Sequence, residues 1–99
     1  MEIKNAAMAG TLESSDVQIT IEPSNTGIEL SIDSVVIHQY GRQIKAVVLE
    51  TLGNIGVKSA KVTVVDKGAM DCAIRARTEC AVYRAAGISA ENIPWGGSK

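Results

Sequence analysis

The spacing of apolar and polar residues predicts three β-strands. Residues 17–21 and 28–32 alternate β-branched or other apolar residues with polar ones, which is typical of strands that bury one face. Residues 23–27 contain Pro, Ser, Asn, Thr and Gly and predict a turn, so we expect the two strands to form a hairpin. Residues 60–65 predict a third strand, which a turn at 66–68 ends.

Between the second and third strands the apolar spacing changes to three or four residues, which predicts an amphipathic helix of about five turns. The apolar positions at this spacing are Ile37, Tyr40, Ile44, Val48, Leu52 and Ile55. Asp33 or Ser34 stands where an N-cap side chain is expected. Gly56 follows the last apolar position and is expected to end the helix in a left-handed conformation.

Residues 70–77 fit two patterns. The alternation over residues 72–77 favours a strand paired with residues 60–65. A helical stripe also fits, through Cys72, Ala76, Cys80 and Tyr83. We predict a strand to about Arg77 and then a helix over 79–86 that Gly87 ends, with a helix throughout 70–77 as the alternative.

The order ββαββα predicts an α+β fold in a single domain, with one long amphipathic helix and a shorter C-terminal helix on one face of a mainly antiparallel sheet of about four strands. A further short strand at 7–12 would pair with 16–21 and place Glu13-Ser14-Ser15 at the hairpin tip. We expect a domain over 1–87 and a tail over 88–99, in which Trp95 is a local anchor.

The composition of the chain argues against several classes of partner. The chain has 99 residues, 45% of them apolar, and a formal net charge of −1, which suits one globular core. Two Tyr, one Trp and no basic run argue against a nucleic-acid partner. No signal peptide or run of about 18 apolar residues is present, so we expect a cytoplasmic protein without a membrane partner.

The residues of hydrolytic catalysis are scarce. His38 is the single histidine and is expected on a solvated helix surface, which argues against an enzyme. Asp66 and Asp71 bracket a turn and are explained by turn chemistry, so we expect no metal site. Cys72 and Cys80 match no zinc or redox spacing and are expected to be buried.

Two serine sites suggest a carrier protein. Asp33-Ser34-Val35 is similar to the attachment site of conventional acyl carrier proteins, but those are strongly acidic helical bundles, so the N-cap interpretation of Ser34 is favoured. The second site is the segment from Gly10 to Asp16. Its composition is that of a polar turn, and the residue pattern by itself indicates no function beyond that turn.

Two runs carry a specific resemblance. Ala9-Gly10-Thr11-Leu12-Glu13-Ser14-Ser15-Asp16-Val17 resembles the modification segment of citrate lyase acyl carrier proteins, the gamma subunits of that complex. The run Asp66-Lys67-Gly68-Ala69-Met70-Asp71-Cys72-Ala73-Ile74-Arg75-Ala76-Arg77 resembles the same family's Asp-Lys-Gly-Ala-Leu-Asp-Cys signature, with Met70 in place of leucine. With Ile-Pro-Trp at 93–95, the resemblance covers nearly the whole chain.

The resemblance implies a non-catalytic carrier. Its prosthetic group would be 2′-(5″-phosphoribosyl)-3′-dephospho-coenzyme A, covalently bound to Ser14, with Ser15 as the alternative position. Its thiol would carry acetyl and citryl between the alpha subunit, an acyl transferase, and the beta subunit, a citryl lyase, for citrate cleavage to oxaloacetate and acetate. A separate prosthetic-group transferase would attach the arm.

Four charged residues are candidate contacts of the arm or of partner subunits. Glu13 and Asp16 flank the serines and are expected to repel the arm's phosphodiester. Arg75 and Arg77 share one face of the strand predicted for this segment. They are expected to meet acidic partner surfaces or the arm's phosphates, and a solvated basic face explains them equally well.

Other functions stay open. The chain is also compatible with the malonate decarboxylase acyl carrier subunit, with a non-enzymatic interaction or regulatory domain of ferredoxin-like topology, and, least of all, with an independent enzyme. A carrier purified with its complex should have a mass above that of its sequence, whereas an interaction domain should not.

Overall fold

The computed structural model describes residues 2–87. They form four strands and two helices, in the order β1 (Ala7–Gly10), β2 (Val17–Glu22), β3 (Ile28–Ser34), α1 (Ile37–Asn54), β4 (Ala60–Asp66) and α2 (Asp71–Ala85). The tail expected over 88–99, with Trp95, lies outside the described residues.

The strands form one mixed sheet in the order β1-β2-β4-β3. β2 pairs antiparallel with both β1 and β4, whereas β3 pairs parallel with β4. A parallel pair needs a long crossover, and α1 supplies it between β3 and β4. The end of β4 at Asp66 therefore lies beside the start of β2 at Val17 and the end of β3 at Ser34.

The core lies between one face of this sheet and the two helices. Alternate residues of β2 and β4 are almost fully buried, including Ile19, Ile21, Val62 and Val64. Helix α1 covers them with Val48 and Leu52, and α2 with Ile74 and Val82. The opposite face carries mainly polar residues, such as the cross-strand row Thr20, Thr63 and Ser31. This one-sided burial explains the alternation of the strands.

The expected fold class is confirmed. The described residues form an α+β domain with a four-strand sheet, one long amphipathic helix and a shorter second helix. The hairpin expected from 7–12 and 16–21 exists as β1 and β2. Gly56 has φ of 78° just after α1, as expected for a left-handed cap.

The strand expected over 72–77 is wrong, since α2 begins at Asp71 and the fourth strand is β1. β4 already has a neighbour on each side, so no edge is open for a further strand beside it. The helical spacing decided this segment, with Ile74, Thr78, Ala81 and Ala85 all buried. The alternation from 72 to 77 involves mostly Ala and Arg, which are good helix formers.

The expected hairpin between 17–21 and 28–32 is also wrong, because β4 lies between β2 and β3. Local alternation identifies strands but not their partners. The element order likewise differs from the β-α-β-β-α-β order of ferredoxin-like domains.

Two smaller expectations fail. Neither Asp33 nor Ser34 caps α1, because both belong to β3 and the N-cap is Val36. Ser34 still accepts a hydrogen bond from the Val36 amide. Cys72 is exposed in the first turn of α2 instead of buried, while Cys80 is half-buried.

Candidate functional site

The loop that joins β1 to β2, residues 11–16, is here called the hairpin loop. The Asp16 amide donates to the Glu13 carbonyl at 3.1 Å and closes a four-residue turn with Ser14 and Ser15 in its middle. Both serines are exposed. Ser15 has φ of 66°, a conformation that the third position of a type II turn requires and that favours glycine. Ser14 therefore occupies the outer corner of the turn.

Asp16 organises the hairpin loop from within. Its carboxylate accepts hydrogen bonds from the Thr11 hydroxyl at 2.6 Å and from the Val17 amide at 2.8 Å. Arg77 of α2 adds two more, from Nε at 3.3 Å and Nη2 at 3.0 Å. These donors, led by Thr11, lower the pKa of Asp16 from 3.8 to about 2. Asp16 is thus a fixed negative charge at the base of the turn.

The hairpin loop also rests on the loop between β4 and α2. The Ser15 amide donates to the Lys67 carbonyl at 2.8 Å, and the Lys67 amide donates to the Asp16 carbonyl at 2.9 Å. These bonds extend the β2–β4 ladder past Val17 and Asp66. Together with Arg77, they join the two sequence runs, which are far apart along the chain.

Gly10 ends β1 at the entrance to the hairpin loop. Its φ is +95°, and a Cβ at this position would lie 1.8 Å from the Val17 carbonyl oxygen. No side chain can occupy that space without moving the backbone of β2. The close approach of the two strands below the serines therefore depends on glycine.

Ser34, the other candidate attachment serine, is 8% exposed. Its hydroxyl donates to Asp66 Oδ2 at 2.7 Å, and Asp66 Oδ1 accepts from the Ala69 amide at 2.9 Å. The pair ties the end of β3 to the loop after β4. Burial and this hydrogen bond give Ser34 a structural role and leave the exposed serines of the hairpin loop as the candidate site.

The structure brings some of the predicted site residues together and separates others. Glu13 is exposed beside Ser14. Arg77 contacts the hairpin loop, whereas Arg75 contacts Glu50 of α1 at 3.5 Å. Since both arginines lie on a helix, the shared strand face expected for them is wrong.

Sequence reasoning assigned no role to Thr11 or Lys67. Thr11 bonds Asp16 within the hairpin loop, and Lys67 bonds Ser15 and Asp16 from the other run. In the sequence, the only signal for either residue was its position inside one of the two resemblance runs.

Residues 2–87 show neither a metal-binding cluster nor a membrane-spanning helix. No three His, Cys, Asp or Glu residues there are placed to hold a metal ion together. Neither α1 nor α2 has the combination of length and apolar character that crossing a membrane requires. His38 is exposed on α1.

Comparison with known proteins identifies the family. The family model described as malonate decarboxylase delta subunit (MdcD), an acyl carrier protein model, matches residues 4–85. The citrate lyase acyl carrier protein of Streptococcus equi subsp. zooepidemicus (strain H70) is 55% identical over 96 residues, which cover 96% of this chain and 92% of that protein. The chain belongs to the citrate lyase acyl carrier protein family. The resemblance seen in the sequence is thereby confirmed.

Other relatives of this carrier agree. The citrate lyase acyl carrier protein of Vibrio cholerae serotype O1 (strain M66-2) is 54% identical over 96 residues, covering 96% of each chain. A chain in the crystal structure of a Pseudomonas malonate decarboxylase hetero-tetramer in complex with malonate superposes with a TM-score of 0.72. That match covers 86% of the carrier and 88% of the other chain at 19% identity, so it shows a shared fold.

Proposed function

We propose that this chain is the acyl carrier subunit of citrate lyase and that Ser14 holds 2′-(5″-phosphoribosyl)-3′-dephospho-coenzyme A through a phosphodiester. The observation that carries the proposal is the exposed corner position of Ser14 on a turn fixed by Asp16, Lys67 and Arg77. The names of relatives at 54 to 55% identity supply the choice of citrate lyase.

The geometry favours Ser14 over Ser15 as the attachment point. Ser15 holds the left-handed conformation of the turn, and its amide is bound to the Lys67 carbonyl. Its role is explained by the turn itself. Ser14 sits one position earlier, at the exposed corner of the turn, where φ is not positive.

The chain contributes position and tethering. The bound group supplies the thiol that carries acetyl and citryl during cleavage of citrate to oxaloacetate and acetate, so no nucleophile or base is needed from the protein. Tethering raises the effective concentration of the acyl group at the alpha and beta subunits in the cytoplasm. A turn fixed on the sheet gives the tether a defined origin.

The two acidic residues near Ser14 have different roles. Asp16 is engaged by Thr11, Val17 and Arg77, so it shapes the hairpin loop. Glu13 is exposed and is the carboxylate that repels the arm's phosphodiester, which keeps the arm off the loop. Arg77 is bonded to Asp16 through Nε and Nη2 and acts on the arm through the shape of the loop, while its 41% exposed side chain is still a candidate contact for the arm's phosphates.

Intact mass spectrometry of the carrier made together with its transferase tests the proposal. The unsubstituted chain and Ser15→Ala should both carry a nucleotide-containing adduct, and Ser14→Ala should have the mass of its sequence alone. Peptide mapping should place the adduct on Ser14. An adduct that persists in Ser14→Ala, or a natural carrier that supports citrate cleavage without any adduct, would contradict the proposal.

The malonate decarboxylase carrier is a second candidate, favoured by the family model and by the fold of the Pseudomonas chain. Reconstitution separates the two. The loaded carrier should restore citrate cleavage to citrate lyase depleted of its carrier and should not restore malonate decarboxylation to a depleted decarboxylase.

A further inference from the structure

A cavity of about 220 Å³ lies between the start of α1 and the loop that joins β4 to α2. Its apolar walls are Val36, Ile44, Ala69 and Ile74, and Tyr40 lines it from α1. Ile44 and Ile74 belong to the buried core. Tyr40 is 51% exposed, which leaves its ring accessible to a ligand.

The polar side chains that line the cavity are Asp66, Asp71 and Gln43. Asp66 is 1% exposed, and its oxygens accept hydrogen bonds from the Ser34 hydroxyl and the Ala69 amide, so a ligand would meet mainly the exposed pair of Asp71 and Gln43. Gln43 Nε2 donates to Asp71 Oδ2 at 2.8 Å. This bond orients the pair and leaves Asp71 Oδ1 able to accept a hydrogen bond and Gln43 able to donate its second hydrogen. The cavity therefore offers one acceptor and one donor beside apolar walls and an aromatic side chain.

We infer that this cavity binds the adenine base of the carrier's own prosthetic arm. The inference rests on the proposed function. Adenine presents an amino donor next to a ring nitrogen acceptor, which matches Asp71 and Gln43. Its flat face suits Tyr40, since aromatic side chains stack on bases. The negative carboxylate of Asp71 disfavours the arm's phosphates at the same place.

The position of the cavity relative to Ser14 supports this occupant. Ser15 is bound to the Lys67 carbonyl, and Gly68 and Ala69, the next two residues, line the cavity. In the proposed arm, one phosphoribosyl unit separates Ser14 from the adenosine, so adenine is the apolar group nearest to the attachment point. With the base held here, the pantetheine end of the arm stays outside the cavity.

Nuclear magnetic resonance titration of the unmodified chain, made without the transferase, tests the site. The probes are adenosine, 3′-dephospho-coenzyme A, pantetheine and guanosine, each added to about 10 mM, above the millimolar effective concentration of a short tether. Adenosine and 3′-dephospho-coenzyme A should shift the amides of Gln43, Ala69 and Asp71. Pantetheine should not, and guanosine should bind more weakly because its carbonyl oxygen faces Asp71.

Two variants of α1, one inside the cavity and one outside it, test the role of Tyr40 in binding. Tyr40→Ala should weaken the apparent adenosine affinity about fivefold or more through loss of stacking. His38→Ala, an exposed residue of α1 outside the cavity, should leave it unchanged. No shift at the cavity amides, equal shifts from pantetheine, or equal weakening by both variants would overturn the inference.

The two proposals can fail separately. An adduct on Ser14 with no adenosine response at the cavity refutes the adenine site and leaves the carrier function intact. An adenosine response in a chain that never acquires an adduct supports the cavity as a nucleoside site and refutes the attachment of the arm.

Discussion

Arg77 of α2 and Asp16 of the hairpin loop are 61 positions apart and are joined by two hydrogen bonds, at 3.3 and 3.0 Å. Asp16 also bonds the Thr11 hydroxyl and the Val17 amide. One carboxylate thus connects both ends of the loop that bears Ser14 to the second helix. The shape of the candidate attachment site depends on packing between distant segments.

The low pKa of Asp16 predicts an acid-sensitive contribution to stability. Because its pKa falls from 3.8 to about 2 on folding, the unfolded chain binds more protons between these values. This contribution is fully present above about pH 4 and is lost as the pH falls through about 2. The difference in free energy of unfolding between the unsubstituted chain and Asp16→Asn, measured in urea, should shrink over that range.

Thr11→Val supplies the control for this acid effect. Thr11 is the largest contributor to the low pKa of Asp16, so the valine variant should lose stability at a higher pH than the unsubstituted chain. Identical pH profiles for the two proteins would show that the hydroxyl does not stabilise the carboxylate.

Removal of Arg77 should loosen the hairpin loop. In Arg77→Ala, hydrogen exchange at the Ser15 amide should become faster because the loop loses its link to α2. Arg75→Ala is the matched control, since Arg75 and Glu50 are 3.5 Å apart with side chains 43% and 61% exposed. That variant should change the free energy of unfolding by less than about 0.5 kcal/mol. Equal exchange rates in both variants would contradict a specific role for Arg77.

Two glycines should respond oppositely to alanine. Gly10→Ala should lower the free energy of unfolding by about 2–4 kcal/mol, because its Cβ would meet the Val17 carbonyl oxygen and its φ is +95°. Gly53→Ala, within α1 and with open space at its Cβ, should raise it by about 0.5–1 kcal/mol. Urea unfolding of both variants measures the contrast, and a mild effect at Gly10 would disprove the close approach of β1 and β2.

Glycine should be favourable at position 15 and unfavourable at position 14. Ser15→Gly relieves a left-handed backbone and should stabilise the chain by about 0.5–1 kcal/mol without preventing arm attachment. Ser14→Gly should destabilise it by a similar amount, since φ there is not positive, and should abolish the adduct. Thermal unfolding and intact mass measured on the same samples test both effects.

Local patterns of apolar and polar residues were sufficient to predict most of the individual strands and helices. The strands expected at 17–21, 28–32 and 60–65 agree with β2, β3 and β4 to within two residues. Alternation reports that one strand face is buried, and these strands do bury one face. The same pattern contains no information about neighbours, so the placement of β4 between β2 and β3 could not be inferred from it.

For the candidate site, too, the sequence indicated the position of a residue but not the contacts that it makes. The position of Ser14 came from the resemblance of residues 9–17, and exposure at the hairpin tip agrees with it. The support of the loop by Lys67 and Arg77 depends on the β2–β4 register and on α2 being a helix. Because residues 72–77 were predicted to be a strand, Arg77 was expected on a strand face, whereas it lies on a helix.

The bond between the Ser15 amide and the Lys67 carbonyl also sets an order of events during biosynthesis. On the ribosome, β1 and β2 emerge well before Lys67, so the serine-bearing turn lacks its support until β4 has been synthesised and has docked. If Ser14 is modified as proposed, a transferase that recognises the supported turn would modify finished domains and pass over nascent or misfolded chains.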